Sequence, residues 1–237
     1  MSWLTKEQEY LDDEDSSEIP PPRVVFEDNH LFIVFKPCRW LTQKDQTGDE
    51  SILEWSKNYI KGVHSKPGNV FLGLVHRLDR PACGVVVFGK TSKAASRLSE
   101  LFRTHQIRKT YRVEVCGHMT GEAVLTHYID EKEGKMEATA HSTAEGKKAE
   151  LSYRVLANRK HTTLLDITLK TGRKHQIRAQ MSAIGHPVVG DRRYGSTVPY
   201  YFGKIKLMAF EIEFKHPTRN EMIVATVPEP LQEWAAL

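Results

Sequence analysis

Val75-His76-Arg77-Leu78-Asp79-Arg80-Pro81-Ala82-Cys83-Gly84-Val85-Val86-Val87-Phe88 is the stretch on which the reading of this chain turns. An Arg-x-Asp enters a Pro/Gly turn, and the turn feeds a wholly apolar strand. Strands with no polar alternation are covered on both faces, so residues 84–89 are expected to form a buried strand. A carboxylate at the mouth of a buried strand is costly unless it is paired or used. Asp79 is therefore the first candidate for chemistry.

Working outward, Val24–Phe26 and Leu31–Phe35 flank the turn residues Glu27-Asp28-Asn29-His30 and predict a hairpin that ends at Lys36-Pro37. Ser51 caps a predicted helix over 51–60, with apolar residues at 52, 55, 59 and 60. Thr91 caps a second helix over 91–102. Strands are expected at 71–75, 84–89, 109–116, 148–156, 162–170, 206–214 and 221–227. The last two are joined by the turn cluster His216-Pro217-Thr218-Arg219-Asn220. Residues 130–147, rich in Glu, Lys and Gly, read as an exposed loop or ribbon tip. Many strands, few helices and no regular βαβ alternation argue for an α+β fold with a mixed or antiparallel sheet.

Charge is unevenly spread along the 237 residues. The overall net charge is +4, but residues 1–22 carry −6, which leaves +10 on the remainder. A body this basic points either to a polyanion such as nucleic acid or to a merely solubilising surface. The acidic start, closed by Ile19-Pro20-Pro21-Pro22, reads as a flexible arm over 1–22, ahead of one folded domain over 23–237. Cys38, Cys83 and Cys116 are widely spaced and form no Cys-x-x-Cys pair, so reduced cytoplasmic thiols are expected. Met1–Lys6 offers neither a basic n-region nor an apolar h-region, and no apolar run is long enough to span a bilayer. Neither secretion nor a membrane partner is expected.

Two further constellations could carry chemistry. Lys170-Thr171-Gly172-Arg173-Lys174-His175-Gln176-Ile177-Arg178 places a turn and two basic side chains at the start of a predicted helix from about Lys174 to Gly185. Read functionally it is an anion site for RNA phosphate; read structurally it is a solvated basic turn. On that helix Lys174 and Arg178 share a face. An inward Arg178 needs a carboxylate, and Asp79 is the candidate; such a pair keeps an Asp ionised, as a nucleophile or base requires. In Lys109-Thr110-Tyr111-Arg112-Val113-Glu114-Val115, alternation sets Tyr111, Val113 and Val115 inward and Arg112 and Glu114 outward. Tyr111 is then either a core tyrosine or a stacking face for a base. Other chemistries fail on order or spacing. His76-Arg77-Leu78-Asp79 is not the kinase His-Arg-Asp, no P-loop or Gly-x-Ser-x-Gly is present, and His76, His175, His186 and Asp191 match no metal-ligand spacing.

At these residues the chain resembles the RluA-type RNA pseudouridine synthases. Phe35-Lys36-Pro37-Cys38-Arg39-Trp40-Leu41 is similar to the family's Asn-Lys-Pro-x-Gly-Leu segment, with Phe for Asn and Arg for Gly. His76 to Gly84 is similar to its His-Arg-Leu-Asp-x-x-Thr-Ser-Gly signature, and Lys109-Thr110-Tyr111 with Gly117 to its Lys-x-Tyr motif. Thr171 to Arg178, followed by Gly185-His186-Pro187-Val188-Val189-Gly190-Asp191-Arg192-Arg193-Tyr194-Gly195, is similar to its Thr-Gly-Arg-x-His-Gln-Ile-Arg block and Gly-Asp-x-x-Tyr-Gly tail. The four stretches stand in the family's order and span residues 23–230. Ala82-Cys83 departs from Thr-Ser, and Met208 stands where many members have His.

The resemblance implies a pseudouridine synthase catalytic fold: a mostly antiparallel central sheet with flanking helices and a cleft across it, without the S4-like domain of some members. It implies Asp79 as the catalytic carboxylate, Arg178 as its partner and Tyr111 as the stacking residue, with Arg77, Leu78 and Ile177 supporting the pocket. The RNA-binding candidates are Lys36, Arg103, Arg108, Lys109, Arg173, Lys174, His175, Arg192 and Arg193. The expected partner is a tRNA or large-subunit rRNA stem-loop, met by a monomer that needs no cofactor and no metal. The target uridine must leave the stack, at a cost of a few kcal/mol that phosphate contacts can offset. Two other readings remain beside this one: a non-catalytic RNA-binding or chaperone module on the same fold, and a small-molecule enzyme using the Thr171–Arg178 anion site.

Overall fold

A computed structural model describes residues 20–201 and 203–232. Residues 1–19 of the acidic arm lie outside the described residues. Backbone packing divides the chain into two compact units, one of residues 20–109 and 209–232 and the other Thr110–Met208.

The first unit is built on the predicted hairpin. β1 (Arg23–Glu27) and β2 (Leu31–Lys36) are antiparallel, and the Asp28 carboxylate closes their turn by accepting from the backbone N–H groups of His30 and Leu31 at 2.7 Å each. A two-residue strand, β3 (Gly73–Leu74), and the quoted apolar strand, β4 (Cys83–Gly89), follow. Every residue of β2 and β4 is buried, as their unbroken apolar runs predict. The strand order is β1-β2-β4-β10, where β10 is Leu207–Lys215; β11 (Met222–Thr226) pairs with β10, and β3 with β4. Phe32, Val34, Val86 and Phe88 pack with Ile52 and Ile60 of helix α1 (Ile52–Val63) in one core cluster. Gly84 has φ 128°, and a Cβ there would lie 2.4 Å from the Ala209 carbonyl oxygen, so only glycine lets β4 lie this close to β10.

Both helix caps are where the hydroxyls predict. Ser51 Oγ accepts from the Glu54 N–H, and Thr91 Oγ1 accepts from Ala94 at 3.1 Å at the start of α2 (Ser92–Arg103). Thr91→Ala is expected to lower stability by about 1 kcal/mol, read as a shift in the urea midpoint at constant slope.

The second unit is an antiparallel sheet in the order β5-β9-β8-β6-β7: β5 Arg108–Cys116, β6 Glu122–Lys132, β7 Lys135–Thr139, β8 Lys147–Asn158 and β9 Thr162–Leu169. Helix α3 (Gln176–Ala183) and a 3-10 turn (Arg192–Tyr194) follow. The region 130–147, expected as an exposed loop or ribbon tip, holds the tip of a hairpin. Glu133 (φ 49°) and Gly134 (φ 74°) form its two-residue turn, as a tight hairpin with positive φ at both central positions requires. Sequence reading misses β6. Exposure does alternate along it, but Val124 sits on the open side and His127 on the covered side, which erases the period-two signal. Helix α3 starts at Gln176, two residues later than expected, because His175 is left-handed at φ 52°; Lys174 therefore precedes the helix and shares no face with Arg178.

Candidate active site

Asp79 belongs to the first unit, in a turn closed by the Ala82 N–H donating to its carbonyl at 3.1 Å. Its neighbours are pinned on both sides. Thr42 Oγ1 donates to the Leu78 carbonyl at 2.8 Å and accepts from the Leu78 N–H at 3.1 Å. The Arg39 N–H donates to the Arg80 carbonyl at 2.8 Å, and Arg80 Nε returns a bond to the Arg39 carbonyl at 3.1 Å. Arg80 also meets Asp49 at 2.5 Å.

Beneath this turn lies Lys36, and its position corrects an expectation. Grouped by sequence with the RNA-binding residues, Lys36 is fully buried. Its ammonium donates to the carbonyls of Trp40 at 2.9 Å, Pro37 at 3.1 Å, Arg80 at 3.2 Å and Ala82 at 2.6 Å. No part of it is left for a phosphate. Burial pushes its pKa down to about 8, against the pull of Cys38, Cys83 and Asp79. Four carbonyls converge on one cation, and two of them belong to residues just after Asp79, so Lys36 ties the end of β2 to that turn. Neither Lys36 nor Thr42 announces this in sequence; the signal available was a lysine closing an otherwise apolar strand.

His76 stacks on Phe102 with ring centroids 4.7 Å apart, and its Nε2 accepts from the Val87 N–H at 3.0 Å. The proton therefore sits on Nδ1. Burial, with Lys109 nearby, pushes its pKa down to about 3, so it is neutral and structural. Unfolded histidine takes up a proton below about pH 6.5, and the folded one does not until about 3. Stability is complete above that window and falls as pH drops through it. From pH 7 to pH 5 this one group is expected to remove about 2 kcal/mol. Urea midpoints of His76→Gln should fall less over that interval than those of the parent.

The second unit holds Tyr111, Ile177 and Arg178. Tyr111 is half-buried on β5, opposite Ile167 of β9. Val113 and Val115 beside it are fully buried, as alternation predicts. Glu114, expected outward, is buried instead. Arg159 Nη1 at 2.8 Å, Lys206 Nζ at 2.9 Å and Thr162 Oγ1 at 2.5 Å hold its carboxylate, which offsets the cost of burying it.

Arg178 turns inward, as its place beside the buried Ile177 suggests, and is 5% exposed. Its Nε and Nη2 donate to the two oxygens of Asp191, at 2.6 and 2.9 Å. Asp191 is 2% exposed. The Tyr194 ring lies 4.7 Å from the guanidinium carbon, and the Tyr194 hydroxyl is 2.9 Å from His175 Nδ1. An inward arginine needs a carboxylate, and within its own unit Asp191 is one.

The remaining basic candidates differ in exposure. Arg77, Arg103, Arg108, Arg173, Lys174, Arg192 and Arg193 are exposed, whereas Lys109 and His175 are half-buried. Several are engaged: Arg103 by Glu100, Arg108 by Glu213 at 3.6 Å, Lys174 by Glu131 at 3.2 Å, Arg173 by the Lys148 carbonyl at 3.0 Å and Arg193 by the Gly134 carbonyl.

Comparison with known proteins gives a consistent picture. Residues 30–183 match the family described as RNA pseudouridylate synthase. An uncharacterized RNA pseudouridine synthase of Aquifex aeolicus (strain VF5) is 33% identical over 227 residues, covering 89% of this chain and 70% of that protein. The tRNA pseudouridine synthase C of Vibrio cholerae is 32% identical over 223 residues, covering 85% and 88%. Among solved structures, Human RNA Pseudouridylate Synthase Domain Containing 1 is similar in fold, with a TM-score of 0.72 at 21% identity over 93% of this chain and 88% of that one.

Proposed function

This chain belongs to the RNA pseudouridylate synthase family, and from that premise we propose that it isomerises a specific uridine in a structured RNA, with Asp79 as the catalytic carboxylate. The observation that carries the assignment is the pinning of Asp79. Thr42 holds the residue before it, Arg39 and Lys36 hold the residue after it, and Lys36 also holds Ala82. A carboxylate that reacts at a sugar carbon gains from a fixed backbone, because orientation is then established before the substrate arrives. Tyr111 supplies the stacking face and Arg178 the partner cation. The family resemblance gives Arg77, Leu78 and Ile177 supporting roles.

In the reaction the N1–C1′ bond breaks, the uracil rotates, and C5 bonds to C1′ while the C5 proton is lost to solvent and N1 gains one. Reactant and product are isomers, so neither an electron carrier nor a hydrolytic water is consumed. Asp79 starts the sequence by attacking C1′ or by removing the C2′ proton. We assign a tRNA stem-loop as the substrate, in preference to a large-subunit rRNA hairpin. The support is that the chain spans 88% of a Vibrio cholerae relative named for tRNA and 71% of a Zymomonas mobilis relative named for the ribosomal large subunit. A catalytic body of this size reads a compact hairpin by shape and splayed bases. We place the enzyme in the cytoplasm as a monomer, where its three cysteines, none of them in a disulfide, stay reduced.

Purified protein is expected to form pseudouridine in total tRNA in plain buffer. Mapping pseudouridines in RNA from cells lacking the gene, against the parent, then identifies the site. Loss confined to large-subunit rRNA would overturn the tRNA assignment, and protein inert on all cellular RNA would overturn the catalytic one.

A further inference from the structure

Two surfaces of the second unit present many charged groups, and their charge balance separates them. Residues 130–150, the β6–β7 hairpin and its continuation, hold six acidic and four basic residues and so repel a polyanion on balance. From Arg192 to Phe210 there is no acidic residue and there are four basic ones, Arg192, Arg193, Lys204 and Lys206. Two tyrosines lie between them. The Tyr200 and Tyr201 rings are 5.0 Å apart at 63°, with Lys206 Nζ 5.2 Å over Tyr200 and Lys204 Nζ 5.1 Å over Tyr201. Tyr201 is 43% exposed, one of the exposed large hydrophobic residues among the described residues. Lys206 is bound to Glu114, whereas no carboxylate among the described residues pairs with Lys204.

This segment is built onto the protein. The Gly190 N–H donates to the Val198 carbonyl at 3.1 Å, Ser196 Oγ donates to the same carbonyl at 2.9 Å, and the Lys206 N–H donates to the Val189 carbonyl at 3.0 Å. Gly190 has φ 83°, and a Cβ there would meet Tyr200 Cβ and the Lys204 carbonyl oxygen at 2.8 Å, so the glycine lets the tyrosine segment seat on it. The next residue is Asp191, which holds Arg178.

Resting on the reading of this chain as an RNA-acting enzyme, we propose that Tyr201 and Lys204 form a binding site for unpaired RNA, with Tyr201 as the platform for a base and Lys204 as a contact to an adjacent phosphate. An exposed aromatic ring beside a cation stacks any base, because every base has a π-face, and it does so only where bases are unstacked. Tyr200 braces the platform edge-on and Lys206 anchors it to Glu114. Neither residue is needed at the ribose, so the site acts on affinity and on the choice of single-stranded loops.

The test uses the full chain and a fluorescein-labelled twelve-nucleotide single-stranded RNA of mixed sequence, alone and annealed to its complement. Tyr201→Ala is expected to weaken single-strand binding about 5- to 100-fold while leaving duplex binding within about twofold. Tyr201→Phe, which keeps the ring, should bind as the parent does. Lys204→Gln should reduce the slope of log K against log salt by about 0.7, the loss of one phosphate contact on a single strand. Thermal melts of each variant establish that it is folded. Parental single-strand affinity in folded Tyr201→Ala, or an equal loss on single strand and duplex, would overturn the site. The family reaction is scored separately: a protein that passes these binding tests but forms no pseudouridine keeps the site and loses the catalytic proposal.

Discussion

Asp79→Asn is expected to reduce pseudouridine formation by at least about 10⁴-fold while RNA affinity changes less than about threefold. The substitution keeps the size and shape of the side chain and removes only its charge and basicity. An amide neither attacks a sugar carbon nor accepts a proton from one. The backbone of the turn should persist, because the groups that hold it, Thr42, Arg39 and Lys36, bind main-chain atoms of Leu78, Arg80 and Ala82. Rate and binding are thereby separated, as they would not be for a substitution that loosened the fold. Single-turnover tritium release from tRNA labelled at uridine C5, beside a filter-binding isotherm, reads both. Unchanged activity would transfer the chemistry to another group; unchanged phenotype in cells together with inactive parent protein would favour the RNA-binding or chaperone reading.

The second large effect is expected at Asp191. Its carboxylate and the Arg178 guanidinium share two hydrogen bonds at 2.6 and 2.9 Å, with both side chains almost entirely buried. Removing one member of such a buried, doubly hydrogen-bonded pair takes away much of what offsets its partner's desolvation, and costs about 3–5 kcal/mol. Asp191→Ala should therefore lower the urea midpoint by a shift that, multiplied by the slope, is the larger part of that cost. Asp191→Asn should be milder, since its carbonyl can still accept one of the two N–H bonds. A stability for Asp191→Ala within about 0.5 kcal/mol of the parent's would show that the pair contributes no net stability. Arg178→Lys does not repair the site, because an ammonium cannot make the two parallel bonds.

How far the sequence carried these conclusions depends on the kind of signal. Unbroken apolar runs marked β2 as a hairpin strand and β4 as a buried strand, and hydroxyls at Ser51 and Thr91 marked two helix starts, because each depends on a few adjacent residues. Strand β6 escaped because its exposed side carries a valine and its covered side a histidine. Asp79, Tyr111 and Arg178 stood out by motif, and inward-facing Arg178 followed from its neighbour. What held them did not. Thr42 is 36 residues from Leu78, and Lys36 is 46 from Ala82. Pairings of that separation leave no local periodicity, so Lys36 read as one more surface cation and Glu114 as an outward carboxylate. Long-range satisfaction of buried polar groups is where a single sequence is least informative.

One feature of the connectivity bears on how the protein is made. Strand β4 ends at Gly89, but β10, which covers one of its sides, begins only at Leu207. All of Thr110–Met208 is synthesised in between. During translation the first unit must therefore wait, with one edge of its most apolar strand open, until the ribosome has delivered the whole second unit. Such an edge is a template for pairing with other nascent chains. The second unit finds the partners of β6, β7, β8 and β9 within its own stretch of chain, β5 pairing with β9 and β6 with β8, so it can close on itself once β9 has emerged. Folding order in the cell thus runs against chain order: the part begun first is finished last, and chaperone demand should fall on the interval between β4 and β10.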